Sequence, residues 1–164
     1  MGSSTDSAHL AAALGLPYVF ASHFSPQQLY AALEIYRNTF QPSEQLDRPY
    51  VVACINVVAA DTDEQADWLS TSLKQMFMGV VTGDRKPMPA PVDDMNAIWN
   101  LQEKMAVEQM LKYSFVGSKK TVREELSGFV DKTSADEVMI ASYIFDHAER
   151  IKSHRLVAEI MKEK

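Results

Sequence analysis

Three stretches of the chain are apolar almost without a break. They are Leu16 to Ser22 (LPYVFAS), Tyr50 to Ala60 (YVVACINVVAA), interrupted only by Asn56, and Glu137 to Phe145 (EVMIASYIF). Short β-branched runs bounded by Gly, Pro or charged residues predict strands covered on both faces, as in parallel sheets. Between them the period lengthens to that of a helix. His9 to Leu14 stops at Gly15. Ser25-Pro26-Gln27-Gln28 offers a cap, a proline at the first helical position and a capping-box glutamine, with Leu29, Ala32, Leu33 and Tyr36 on one face. Thr62 caps a helix through Gln65 that carries Trp68, Leu69, Leu73, Met76 and Phe77 and ends at Gly79 or Gly83. Asn100 opens another helix through Leu111. Val116-Gly117-Ser118 leads into a helix over Thr121 to Val130, and Asp146 begins the last one, through Met161.

Helix and strand alternate along the chain, which predicts an α/β fold with parallel strands joined by crossover helices. One excursion breaks the rhythm at about 83–94, where Pro87, Pro89 and Pro91 rule out helix and central strand. Three strands are fewer than a doubly wound domain uses and cannot close a barrel, and the first helix lacks a strand to feed it. The pattern is that of part of a larger unit, with exposed strand edges that pair with another copy or with a missing amino-terminal half.

Composition removes several alternatives. The chain of 164 residues has 16 Lys and Arg against 22 Asp and Glu, a net charge of −6, and no basic block of the kind that nucleic-acid binding requires. Ser7 to Leu33 carries no formal charge, but Gly15, Pro17 and Pro26 lie inside it, so it is no membrane span. A single cysteine, Cys54, allows no internal disulfide and fits a cytoplasmic protein.

Candidate chemistry concentrates at the start. Gly2-Ser3-Ser4-Thr5-Asp6-Ser7 places hydroxyls and free amides at a helix N-terminus, an arrangement that can hold a phosphate or simply cap the helix. His147 and His154 are too widely spaced for a zinc site and lack a third ligand, so no metal is expected. Cys54 has no cation beside it and reads as a small buried hydrophobe, and Asp93-Asp94 as a solvated loop pair. No residue stands out as a general acid or base, and the catalytic residues are unknown at this level.

The segments GSSTDSA (2–8), LGLPYVFASHF (14–24), LDRPY (46–50), NVVAADT (56–62) and SFVGS (114–118), with Asp146-His147 closing the last strand, resemble the carboxyl-terminal half of the bacterial luciferase-like flavin-dependent monooxygenases. The resemblance covers nearly the whole chain in order. It implies a partial (β/α)8 TIM barrel, residues 1–164 supplying the equivalents of strands six to eight with their flanking helices. It also implies that Ser3, Ser4, Thr5 and Ser7, chiefly Ser4 and Ser7, hold the phosphate of FMN, and that His23 faces the barrel mouth near the flavin. Asn56, in mid-strand, serves either the flavin or a neighbouring group. The implied reaction oxidises a small organic substrate with reduced FMN and O2. The alternative is a non-catalytic remnant that self-associates and binds FMN weakly or not at all.

Overall fold

A computed structural model describes residues 1–162. In order, the elements are α1 (Thr5–Ala13), β1 (Tyr18–Phe20), a 3-10 turn (Pro26–Gln28), α2 (Leu29–Thr39), β2 (Val51–Ala60) and α3 (Asp63–Thr82). A second 3-10 turn (Met95–Ala97), α4 (Leu101–Met110), β3 (Ser114–Ser118), α5 (Lys119–Thr133), β4 (Glu137–Ala141) and α6 (His147–Lys162) follow.

The sheet is parallel throughout and built on β2, all ten residues of which are buried. Alternate residues of a parallel strand turn their amide and carbonyl groups to opposite edges. Tyr18 N donates to Tyr50 O at 2.9 Å, so β1 lies on the even-numbered edge, while Asp136 N donates to Val51 O at 3.0 Å, which puts β4 on the other. β3 returns to the first edge, above β1: Asn56 N donates to Tyr113 O at 3.3 Å, and the register runs from Asn56 opposite Ser114 to Ala60 opposite Ser118. Between the end of β1 and the start of β3, the Ser22 hydroxyl donates to the Cys54 carbonyl and keeps the edge satisfied.

β3 is a fourth strand where the sequence reads as the approach to a helix. Its five residues alternate half-buried and buried, with Gly117 and two serines among them, a weak signal beside the apolar runs. β4 stops at Ala141 instead of continuing to Phe145. The first helix is not without a strand contact: Gly2 pairs in parallel with Phe20, through Gly2 N to Val19 O at 2.9 Å and Ala21 N to Gly2 O at 2.8 Å. A side chain at position 2 would meet Ser7 Oγ at 2.1 Å, so this approach requires glycine.

The faces of β2 are divided. Val51, Ala53, Ile55, Val57 and Ala59 pack beneath α1, α2, α5 and α6, through Leu33, Tyr36, Leu126 and Val157 among others. On the opposite, inner face, Val58 and Ala60 lie beneath Leu69, Leu73 and Phe77 of α3, Val107 of α4 and Ile144. Val52, Cys54 and Asn56 continue that inner face. Residues 63–113 are therefore not a crossover on the helix side but a cap over the carboxyl end of β2. The proline-rich excursion is strapped to α3: Val92 N donates to Thr71 Oγ1 at 2.9 Å, Gln75 Nε2 to Ala90 O at 2.9 Å, and Trp68 Nε1 to Asp93 Oδ1 at 3.0 Å. Asp93 is thus an acceptor that anchors the strap, and Asp94 caps the turn after it through Asn96 N at 2.8 Å.

Two caps differ from the sequence reading. Thr62 accepts from Gln65 N at 3.2 Å as expected, but Gln65 Oε1 reaches one residue further back, to Asp61 N. Ser25 makes no side-chain cap, and Gln28 gives its Oε1 to Thr5 N at 3.1 Å, capping α1 instead of its own helix. Among the described residues no helix is long and apolar enough to cross a membrane.

Candidate functional site

The segment after β1, the middle of β2 and the start of β3 converge at one place on the inner face. Asn56 is 1% exposed in mid-β2, where an amide can be tolerated only if its polar atoms find partners. Its Nδ2 donates to His23 O at 2.8 Å and to Ser114 Oγ at 3.1 Å, joining all three strands. Asn56 Oδ1 and His23 Nδ1 are buried and have no hydrogen-bond partner among the described residues. Unsatisfied buried polar atoms are costly, at roughly 1–3 kcal/mol each, and mark places where a further group is accommodated. Burial pushes the His23 pKa down, so the ring is neutral at pH 7. Cys54 lies on the same strand two residues away, its thiol pushed up by burial and so not a thiolate.

The serine-rich start forms the first turn of α1, whose entry is pinned by the Gly2 to Phe20 pairing. Ser4 is the N-cap: its Oγ accepts from Ser7 N at 3.4 Å, and Ser4 N donates to Ser7 Oγ at 3.4 Å. Ser7 Oγ also donates to Ser4 O at 2.6 Å and meets Tyr18 OH at 3.0 Å, while Tyr18 OH donates to Ser4 O at 3.0 Å. Burial raises the Tyr18 pKa, and the Ser7 hydroxyl partly opposes it. Ser3 and Thr5 stand in the same turn, with the Thr5 amide directed to Gln28. Asp6 lies in this first turn as well, and its charge would oppose a bound anion. The donor set fits a phosphate, since four hydroxyls gather at the positive end of a nine-residue helix, but Ser4 and Ser7 must turn their hydroxyls out of the cap to hold one.

The serine turn is joined to β1 through the pairing of Gly2 with Phe20, whereas His23 lies three residues past the end of β1 and is held by Asn56 of β2. Sequence reasoning missed Ser22, Ser114 and Gln28. Ser22 reads as an ordinary strand-end serine, Ser114 falls in a stretch that the sequence does not read as a strand, and Gln28 reads as part of its own helix cap. Among the described residues no cluster of three or more His, Cys, Asp or Glu is arranged to hold a metal ion. His147 instead meets Arg150 Nη2 through Nδ1 at 2.8 Å.

No family model matches the chain. It is 43% identical over 163 residues, 99% of its length, to a luciferase-like monooxygenase of Escherichia coli K12, of which it covers 49%. The crystal structure of apo-MsnO8 superimposes with a TM-score of 0.81 at 29% identity, over 98% of this chain and 49% of that one. The oxygenating constituent of 3,6-diketocamphane monooxygenase of Pseudomonas putida, solved with FMN, shares the fold at a TM-score of 0.61 and 17% identity. The chain thus spans about half the length of the curated relatives it matches, and the similarity runs along all of it, consistent with a carboxyl-terminal half.

Proposed function

We propose that this chain, similar throughout to half of a luciferase-like monooxygenase, supplies the phosphate grip and one wall of an FMN-dependent monooxygenase that acts on a small organic substrate. The observation that carries the reading is the pairing of Gly2 with Phe20, which fixes the Ser3, Ser4, Thr5 and Ser7 turn beside β1, the strand that His23 follows by three residues. Bound FMN would supply the redox chemistry with O2. The residues of this chain bind and orient: Ser4 and Ser7 with the α1 N-terminus hold the phosphate, and neutral His23 and Asn56 line the mouth. The cap formed by α3 and α4 keeps water from that face. The single buried, unbridged cysteine supports a cytoplasmic setting.

Three hydrogen bonds to a charged phosphate contribute about 5–9 kcal/mol. Micromolar affinity needs about 8 kcal/mol net of the association cost, so the chain alone binds FMN more weakly than that. The outer edge of β1 beyond the Gly2 pairing, and that of β4, then take further strands, from the part of the relatives that this chain does not span or from a second copy. Titration of the chain with FMN, followed by the flavin 31P resonance, tests the grip. A saturable shift in the high-micromolar range, weakened at least tenfold in Ser7→Ala, supports it. The absence of any shift up to millimolar FMN favours the second reading, a self-associating module without catalysis, which the open edges alone would also support.

A further inference from the structure

Two amides in the first turn of α1 are taken by side chains of different origin. Ser7 N goes to Ser4 Oγ at 3.4 Å, a local cap within the turn. Thr5 N goes to Gln28 Oε1 at 3.1 Å, and Gln28 comes from 23 residues away, at the end of the 3-10 turn before α2. The Thr5 amide lies at the first helical position and needs no such visitor, because an exposed N–H at a helix start is satisfied by water.

Gln28 is well placed to reach this amide and weakly held there. Pro26 and Leu29 of the same turn are buried, so the backbone is fixed. The Gln28 side chain is exposed and makes no other hydrogen bond among the described residues. A single neutral bond on an exposed side chain contributes little and is easily exchanged. A phosphate oxygen is the stronger acceptor for the same amide. Bonds to an ionised acceptor are roughly twice as strong as neutral ones, and the positive end of the helix favours an anion.

We propose that Gln28 competes with the flavin phosphate for the Thr5 amide: its carboxamide oxygen and a phosphate oxygen are alternative acceptors for one donor, and Gln28 swings out as phosphate enters. Gln28 thereby sets the affinity of the site without being part of the grip. This competition presupposes the phosphate grip proposed above for Ser4 and Ser7.

Competition and plain capping move two variants in different directions. Gln28→Ala removes the competitor and the cap together. FMN should bind roughly threefold to tenfold more tightly, the factor that one exchanged neutral hydrogen bond supplies, while the urea midpoint falls slightly. Gln28→Glu keeps an acceptor of the same reach and adds a charge that suits the helix N-terminus, so the midpoint holds or rises while FMN binding weakens about tenfold. A mere cap would lower stability in Gln28→Ala and leave affinity unchanged or reduced. The experiment titrates the 15N-labelled full chain and both variants with FMN. It follows the flavin 31P resonance, the Thr5 amide and the Gln28 side-chain NH2 pair, assigned by its absence from the variants. In the parent chain the Gln28 pair should move with the Thr5 amide at one midpoint. FMN binding that is no tighter in Gln28→Ala, that is undiminished in Gln28→Glu, or that leaves the Gln28 pair in place overturns the competition and leaves the phosphate grip standing. The absence of a 31P shift with all three chains overturns the grip as well.

Discussion

Asn56 Nδ2 donates to the His23 carbonyl at 2.8 Å, so the middle of the central strand fixes the backbone of the segment that follows its neighbour β1. The same amide reaches Ser114, and one buried side chain sets the relative height of β1, β2 and β3. Replacing it with alanine strands two partners in a buried setting. Asn56→Ala is expected to lower stability by about 1–3 kcal/mol, read from the urea midpoint. It should also shift the His23 ring resonances without moving those of His154.

Ser4 has two separable jobs. As N-cap of α1 it is worth about 1 kcal/mol against alanine, whereas glycine at a cap costs only a few tenths. Ser4→Ala should therefore lower the midpoint clearly and Ser4→Gly hardly at all. Both variants should weaken FMN binding by a similar factor if the hydroxyl touches phosphate. Equal FMN affinity in Ser4→Gly and the parent chain would confine Ser4 to capping.

Two glycines should answer oppositely to alanine. At Gly117 a Cβ would stand 2.8 Å from Asp63 Oδ1 and from Thr121, where β3 enters α5. Gly117→Ala is expected to destabilise by about 1–3 kcal/mol through overpacking. Gly128 lies inside α5 with nothing within 4 Å of the added methyl, so Gly128→Ala should stabilise by about 0.5–1 kcal/mol. Thermal melts of the two variants check both signs.

Asp63 couples the start of α3 to the start of α5. Its carboxylate accepts from Ser118 N at 2.6 Å, and this bond, helped by the Thr121 and Ser118 hydroxyls, holds its pKa below the ordinary 3.8. A carboxyl lowered in the folded state adds stability above its unfolded value, and that stability is lost as pH falls through the folded value. Urea midpoints between pH 5 and pH 2 should fall less steeply in Asp63→Asn than in the parent, beginning below about pH 4. Parallel curves would remove the Ser118 bond from the account.

Much of this fold was legible because burial on both faces leaves a plain mark. Tyr50 to Ala60 reads as a strand from composition alone, one residue longer than β2 proves to be, and the Asn100 and Glu103 capping box forms with bonds of 3.0 and 2.8 Å. β3 escaped because Ser114, Gly117 and Ser118 lack the apolar content that strands usually show, and its pairing comes from β2 outrunning β1. Gln28 escaped because its partner, Thr5, lies 23 residues away, beyond any local pattern. Ser4 and Ser7 were visible as a hydroxyl cluster, but a hydroxyl that caps and one that grips phosphate look alike in sequence.

The account rests on the chain being one side of a barrel whose β1 and β4 edges seek further strands. Leu10 of α1 and Leu14 at its C-cap, 63% and 55% exposed, line one groove with Met1, Pro17 and Tyr18 at the start of β1 and would be covered by the elements that add to this edge. Sedimentation velocity of the 18.4 kDa chain, mixed one to one with the amino-terminal half of its Escherichia coli relative, is the most direct test. The account predicts a single heterodimeric species of about twice that mass, its formation blocked by Leu10→Glu with Leu14→Glu. A folded monomer that ignores the added half would contradict it.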